Sequence, residues 1–279
     1  MGHPRSQTFR IRSFLAPILV VVLAACSTSP TGRNRLQFLP DSMMNSQGAQ
    51  AFQDLKSQTP VDHDPATNAY VKCVANAIVG STQGKDTAGV KNWEIVVFDS
   101  KEVNAFALPG GKIGVYTGIL PVANTQDQLA TVLGHEVGHV LARHGSERAS
   151  DQLVTQLGLT GLEAILAGKS GKLSRSQQLI MVGAMGVAQF GVILPFSRDD
   201  ESEADHIGLQ LMADAGFDPT QAVTLWQNMS KAGGGQPPEF ASTHPSNSRR
   251  IDQIRSWEAD AEEHAAKAHA AGRNPQCRR

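Results

Sequence analysis

Apolar residues recur at helical spacing through most of this chain, and only one stretch carries short β-rich runs. Residues 41–57 and 65–79 read as helices. The second is marked by Ala69, Val71, Val74, Ala75, Ile78 and Val79, with Asp64-Pro65 as its start. Trp93 to Phe98 (WEIVVF) is a β-rich run. Val103 to Ala107 and Lys112 to Tyr116 flank Pro109-Gly110-Gly111, which reads as a hairpin because Pro and Gly supply turn dihedrals. Residues 125–144 form a strong helix signal through Leu129, Val132, Leu133, Val137, Val140 and Leu141, with Thr125 as its cap. Two apolar helices are expected at 151–167 and 176–193, on either side of Gly168-Lys169-Ser170-Gly171. Further helices follow at Arg198–Ala213, from Asp218-Pro219 to about Lys231, and from Ser248 to about Ala270. Residues 232–247 read as a Gly/Pro-rich loop. The pattern predicts a mainly α protein with a small β-sheet, an α+β fold.

Two apolar runs raise the question of membranes. Leu179–Phe196 is nearly uncharged and about long enough to suggest a span. Gly183, Gly186, Gln189, Gly191 and Pro195 within it favour a helix buried in the fold or covering its active site. The other run, Phe14 to Ala25, follows Arg5, Arg10 and Arg12. It is too short for a stable span and suits an export signal. It ends in Leu23-Ala24-Ala25-Cys26, which looks like a bacterial lipobox. That resemblance implies a signal peptide over 1–25 and lipidation of Cys26. With Ser27 rather than Asp following, it implies anchoring at the periplasmic face of the outer membrane. Residues 26–40 then read as a lipid-anchored tether, 41–270 as one domain and 271–279 as a tail.

Charge sharpens this division. The chain of 279 residues has 25 Lys+Arg against 26 Asp+Glu, a net −1. The acid-free first 25 residues contribute +3, so the remainder stands at −4. Such a balance excludes a strongly basic nucleic-acid binder, and no nucleic acid is expected as partner. Three cysteines are too few for a disulfide scaffold or a Cys₄ zinc module. Cys73 and Cys277 could pair in an oxidising compartment or remain thiols, and spacing does not decide between these.

The candidate chemistry sits in the 125–144 helix, at His135-Glu136-Val137-Gly138-His139. Residues i and i+4 share a helix face, so both imidazoles can reach one Zn²⁺, with Glu136 beside them as a proton acceptor. Catalytic zinc usually takes three protein ligands. His144, five residues beyond His139, falls off the ligand face and suits a structural role. The best third ligand is Glu201, in the acid-rich start of the helix from Arg198. Glu201 and Asp205 lie at i and i+4, so one can bind metal while the other orients a ligand histidine. Glu203 lies about 200° round that helix and is expected to face away.

With these residues in place the chain resembles the zinc metallopeptidases typified by the heat-shock protease HtpX and the CAAX prenyl protease, within the gluzincin group. The resemblance covers roughly residues 65–256. It rests on Asn104-Ala105-Phe106-Ala107 with Pro109-Gly110-Gly111, His135 to His139, Glu201-x-x-Ala204-Asp205, and His244-Pro245 followed by Arg250. It implies a gluzincin-type domain holding one Zn²⁺ on His135, His139 and Glu201, with Asp205 supporting a ligand histidine. It further implies that His244 and Arg250 line the cleft and could stabilise an oxyanion, and that a loop histidine such as His244 can cap the metal. The chain lacks the multiple membrane helices of those two proteases, which favours the lipid-anchored periplasmic branch.

The expected function is therefore a zinc metalloendopeptidase. Glu136 takes a proton from water and returns it to the leaving amine, and a strand near 103–107 or 112–116 pairs with extended substrate. Expected partners are unfolded or misassembled periplasmic and outer-membrane proteins, the membrane through Cys26, and the outer-membrane assembly machinery. Two rivals stand beside it. One is a chaperone-like outer-membrane assembly factor with a gated, mostly silent peptidase. The other is a structural zinc site with His244 as fourth ligand.

Overall fold

A computed structural model describes residues 26–166, 196–232, 238–244 and 248–279. The expected signal peptide and the apolar run up to Pro195 lie outside the described residues. No helix among the described residues is long and apolar enough to cross a membrane.

The described chain opens with a small antiparallel hairpin, β1 (Cys26–Thr28) and β2 (Asn34–Leu36). Its turn contains Gly32 at φ +92°, a conformation that costs glycine little. Part of the stretch read from composition as a polar tether is thus paired backbone. Helix α1 (Asp41–Gln58) follows, then α2 (Pro65–Gly80). Asp64 caps α2 by accepting the Thr67 N–H at 2.8 Å, and Pro65 occupies the first turn, where no N–H is needed.

The three-stranded sheet has the order β3 (Glu94–Phe98), β5 (Lys112–Tyr116), β4 (Ala105–Leu108). The β4–β5 hairpin closes where the sequence placed it, and β3 runs parallel to β5 on its far side. This order leaves β4 at the sheet edge.

Helix α3 (Gln126–Leu141) is the centre of the molecule, buried from Gln128 to Leu141. Thr125 caps it, accepting the Gln128 N–H at 3.1 Å. The helix stops three residues short of the expected end because Arg143 adopts φ +57°. His144 begins a separate helix, α4 (His144–Leu166). Helix α5 (Arg198–Asp214) starts with a capping box between Ser197 and Asp200. Then come α6 (Gln221–Ala232), a five-residue α7 (Glu239–Thr243) inside the stretch expected as loop, and α8 (Ser248–Ala270).

α3 packs on α2, β4, α6 and, most extensively, α5. Glycines permit that last contact. A Cβ on Gly134 would lie 2.6 Å from the Gly208 oxygen, and one on Gly138 would lie 2.8 Å from the Ala204 oxygen. A Cβ on Gly208 would lie 2.6 Å from the His135 nitrogen. The two backbones therefore meet with no side chain between them.

Cys73 on α2 is joined to Cys277 of the tail, with Cα atoms 5.7 Å apart. The Gln126 side chain secures the same tail, donating to the Pro275 oxygen at 3.0 Å and accepting the Cys277 N–H at 2.8 Å. The bridge spans 204 residues of sequence, for which loop entropy gives a stabilisation of about 5 kcal/mol. Reduction, or Cys73→Ser with Cys277→Ser, should lower the unfolding free energy by about 2–5 kcal/mol. Urea midpoints with and without reductant measure this, and coincident midpoints would refute it.

Candidate metal centre

One turn of α3 separates His135 from His139, and their Nε2 atoms converge to 3.0 Å. From α5, Glu201 places Oε2 3.5 Å from the His135 nitrogen and Oε1 3.4 Å from the His139 nitrogen. His244, at the C-terminal end of α7, brings Nδ1 to 3.1 Å from His135 Nε2 and 2.9 Å from Glu201 Oε1. All four side chains are buried, and their donor atoms lie within 4.8 Å of one another.

This donor set fits zinc. Bonds of 2.0–2.2 Å at tetrahedral angles put ligand atoms roughly 3.3–3.6 Å apart, near the spacings seen. Three imidazoles and one carboxylate are ligands that zinc favours. A buried polar atom points the same way: Glu136 Oε1 has no hydrogen bond, although His244 Nε2 is 3.4 Å from it. The other Glu136 oxygen accepts the Ala107 N–H of edge strand β4 at 3.2 Å.

Behind the donors lies a clamp. Asp205 Oδ1 is 2.9 Å from His135 Nδ1, which fixes the ring with Nε2 toward the centre. Arg250 donates through Nη2 to Asp205 Oδ1 at 2.7 Å and through Nη1 to Glu201 Oε2 at 3.0 Å. Its Nε is 2.6 Å from Asp205 Oδ2, and its guanidinium lies over the Trp226 ring at 3.5 Å. The side chain expected to face a substrate oxyanion is thus paired with two carboxylates of α5.

Electrostatics separates the two glutamates. Burial pushes the Glu136 carboxyl up. Burial also acts on Glu201, but His244, His139 and His135 outweigh it and hold that carboxyl well below the usual range. Burial pushes His139 well below an ordinary imidazole. For His244 burial is outweighed by Glu136 and Glu201, which raise it.

The structure thus brings together the residues expected at the site: His135, Glu136, His139, Glu201, Asp205, His244 and Arg250. It also shows partners of His144 and Glu203 that spacing did not reveal, and adds Phe196. His144 is fully buried, its Nδ1 2.8 Å from His139 Nδ1. Glu203 does point away from the donors, yet its own buried carboxylate meets buried His144 on one side and the more exposed Thr31 and Arg33 on the other. Phe196 stacks on His139 with centroids 4.1 Å apart.

The sequence profile described as "Peptidase family M48" matches residues 65–258, and so takes in all seven site residues. The chain belongs to peptidase family M48. This M48 chain is 40% identical over 198 residues to the mitochondrial metalloendopeptidase OMA1 of Schizosaccharomyces pombe, covering 70% of this chain and 54% of that protein. It is 33% identical over 258 residues to the mitochondrial metalloendopeptidase OMA1 of Bos taurus, covering 88% and 48%. With the β-barrel assembly-enhancing protease of Escherichia coli it shares 24% over 265 residues, covering 88% and 52%. The chain spans about half the length of these relatives.

These likenesses refine one expectation and overturn another. They support the metallopeptidase family without pointing specifically to HtpX or the prenyl protease. Location at the periplasmic face of the outer membrane is not upheld, because the relatives at 33–40% identity carry mitochondrial names. The physical reason lies in residues 1–25. Arginines without acids are a composition that mitochondrial targeting segments share, so that feature fixes no compartment.

The α3–α5 contact gives a test of the site. Gly208→Ala should cost about 1–3 kcal/mol, because its neighbour is backbone and cannot turn aside. It should also weaken zinc binding by shifting Glu201. Chemical unfolding and chelator competition measure both, and wild-type zinc affinity in this variant would refute the link.

Proposed function

We propose that this M48 chain is a zinc-dependent endopeptidase acting on extended polypeptide, with His244 as a removable cap on its metal. The observation that carries the reading is the convergence of His135, His139, Glu201 and His244 beside the unsatisfied Glu136 Oε1. Zinc bound by such a set supplies Lewis acidity, acidifying water and polarising a carbonyl.

The chain's own residues do the rest. Glu136 holds one oxygen on the Ala107 N–H and leaves the other free to take a proton. Its burial raises its affinity for a proton, which suits a group that would carry one from water to a leaving amine. Asp205 and Arg250 keep His135 and Glu201 in place. Edge strand β4 runs beside Glu136, and an extended segment can add to it through backbone hydrogen bonds. Backbone pairing reads extended shape rather than sequence, which suits unfolded or misassembled proteins as substrates.

The second reading, a gated and mostly silent peptidase with a chaperone-like assembly role, draws support from His244 in the fourth donor position. The name of the E. coli relative is in keeping with it. Catalytic zinc sites keep a position open, so His244 must leave for turnover.

Glu136→Gln should retain one zinc per chain and lose roughly 10²–10⁴-fold in cleavage of casein. Cleavage at wild-type rate in that variant would end the protease reading. His244→Ala should raise cleavage several-fold at unchanged zinc content. A fall of about 10²–10³-fold would instead assign His244 to oxyanion stabilisation.

A further inference from the structure

A second network, running from buried His144 and Glu203 out to the surface, lies behind His139. Arg33, the turn residue just before β2, reaches between α4 and α5. It donates to the two Glu147 oxygens at 2.6 and 2.7 Å, to Asp200 Oδ1 at 2.8 Å and to Glu203 Oε2 at 3.2 Å. Thr31 adds its hydroxyl at 2.7 Å and its N–H at 3.3 Å to Glu203 Oε1. Glu203 Oε2 is 3.3 Å from His144 Nε2, and His144 Nδ1 is 2.8 Å from His139 Nδ1. His139 turns its other nitrogen to the donor cluster.

Hydrogen-bond chemistry fixes the direction of this chain. A neutral His139 offering its Nε2 lone pair to a metal carries its proton on Nδ1. That proton is donated to His144 Nδ1, which must then be the bare nitrogen. The proton of His144 is therefore on Nε2, aimed at Glu203. One arrangement satisfies every member, and a carboxylate at its end holds it there.

We infer that the N-terminal hairpin is a working part of the metal centre. Thr31 and Arg33 hold Glu203, Glu203 sets the tautomer of His144, and His144 sets the tautomer and tilt of the ligand His139. These four are positioning residues. Thr31 and Arg33 lie outside the segment 65–258 that the family profile matches, so the hairpin completes from outside a site whose ligands lie within it. An arginine that only fastened the hairpin to the surface would need no contact leading on to a ligand.

The inference rests on His139 holding zinc, and zinc content of the wild-type chain tests that reading separately. The experiment uses the full chain and measures zinc affinity by competition with a chromogenic chelator. It also measures kcat and KM on casein, and Tm. Thr31→Val keeps the shape of the side chain and should weaken zinc by about threefold or more. Glu203→Gln and His144→Leu should weaken it by about 10–100-fold, the usual range for groups that support a ligand. Each should lower kcat at nearly constant KM. His144→Gln should recover much of the loss, because its amide accepts through oxygen and donates through nitrogen. A lowered Tm with zinc affinity and kcat within twofold of wild type would overturn the inference and leave the hairpin as an anchor. Thr31→Val decides the matter if Glu203→Gln does not fold, and unchanged zinc affinity in it overturns the coupling.

Discussion

The backbones of α3 and α5 touch where Gly134 and Gly138 meet Gly208 and Ala204, and the metal centre depends on that contact. Glu201 has a short side chain and must reach two imidazoles on the neighbouring helix. Helices separated by ordinary side chains stand 8–10 Å apart, which leaves little room for such convergence. Small residues at i and i+4 on both helices remove the spacer. They adjoin the ligands: Gly134 and Gly138 form the stripe next to His135 and His139, and Ala204 and Gly208 lie one turn along from Glu201 and Asp205. Packing and chemistry are therefore one constraint, because moving the helices apart moves the donors apart.

Helix α5 then carries an acid load that a buried helix would not ordinarily bear. Asp200, Glu201, Glu203 and Asp205 are all buried. Their position at a helix N-terminus gives some relief through the macrodipole, and the capping box uses Asp200. The larger relief comes from two arginines on opposite faces. Arg250 takes Glu201 and Asp205, while Arg33 takes Asp200 and Glu203 together with Glu147 on α4. Removing one partner from such a group leaves uncompensated buried charge, which costs far more than the pair contributes. Residues 33 and 250, far apart in sequence, thus brace one helix from both sides.

What was legible in the sequence is what helical geometry alone determines. His135 and His139 had to share a face, as did Glu201 and Asp205, and Thr125 and Asp64 announced their helices because their side chains cap locally. The Pro-Gly-Gly turn announced its hairpin for the same kind of reason. Arg33 was not legible, since its partners lie 114 to 170 residues away and a polar run around it looks like linker. A structural role for His144 was legible from its five-residue offset, which takes it off the ligand face, but its partner, the outer nitrogen of His139, was not. The chain kinks at Arg143 and brings the two together. The Cys73–Cys277 bridge needed a distance that no spacing supplies.

A site with four protein donors raises the question of which one can be replaced. His135 and His139 are fixed on a helix buried throughout, and Asp205 and His144 hold their outer nitrogens. Glu201 is fixed by Arg250 and by the α3–α5 contact. His244 differs. It follows a five-residue helix, which lacks the length to be stable on its own. Its backbone anchors are a bond to the Phe240 oxygen at 2.9 Å and a contact from Arg250 to its carbonyl at 3.3 Å, while its ring is held by the donor cluster itself and by Phe196 and Phe240. It is also the donor nearest the reactive carboxylate, with Nε2 3.4 Å from Glu136 Oε1. The position His244 holds is therefore the one from which a water would face both the donor cluster and the base. One residue stands at the donor cluster and beside Glu136 at once, so under the proposed cap its departure would open both together.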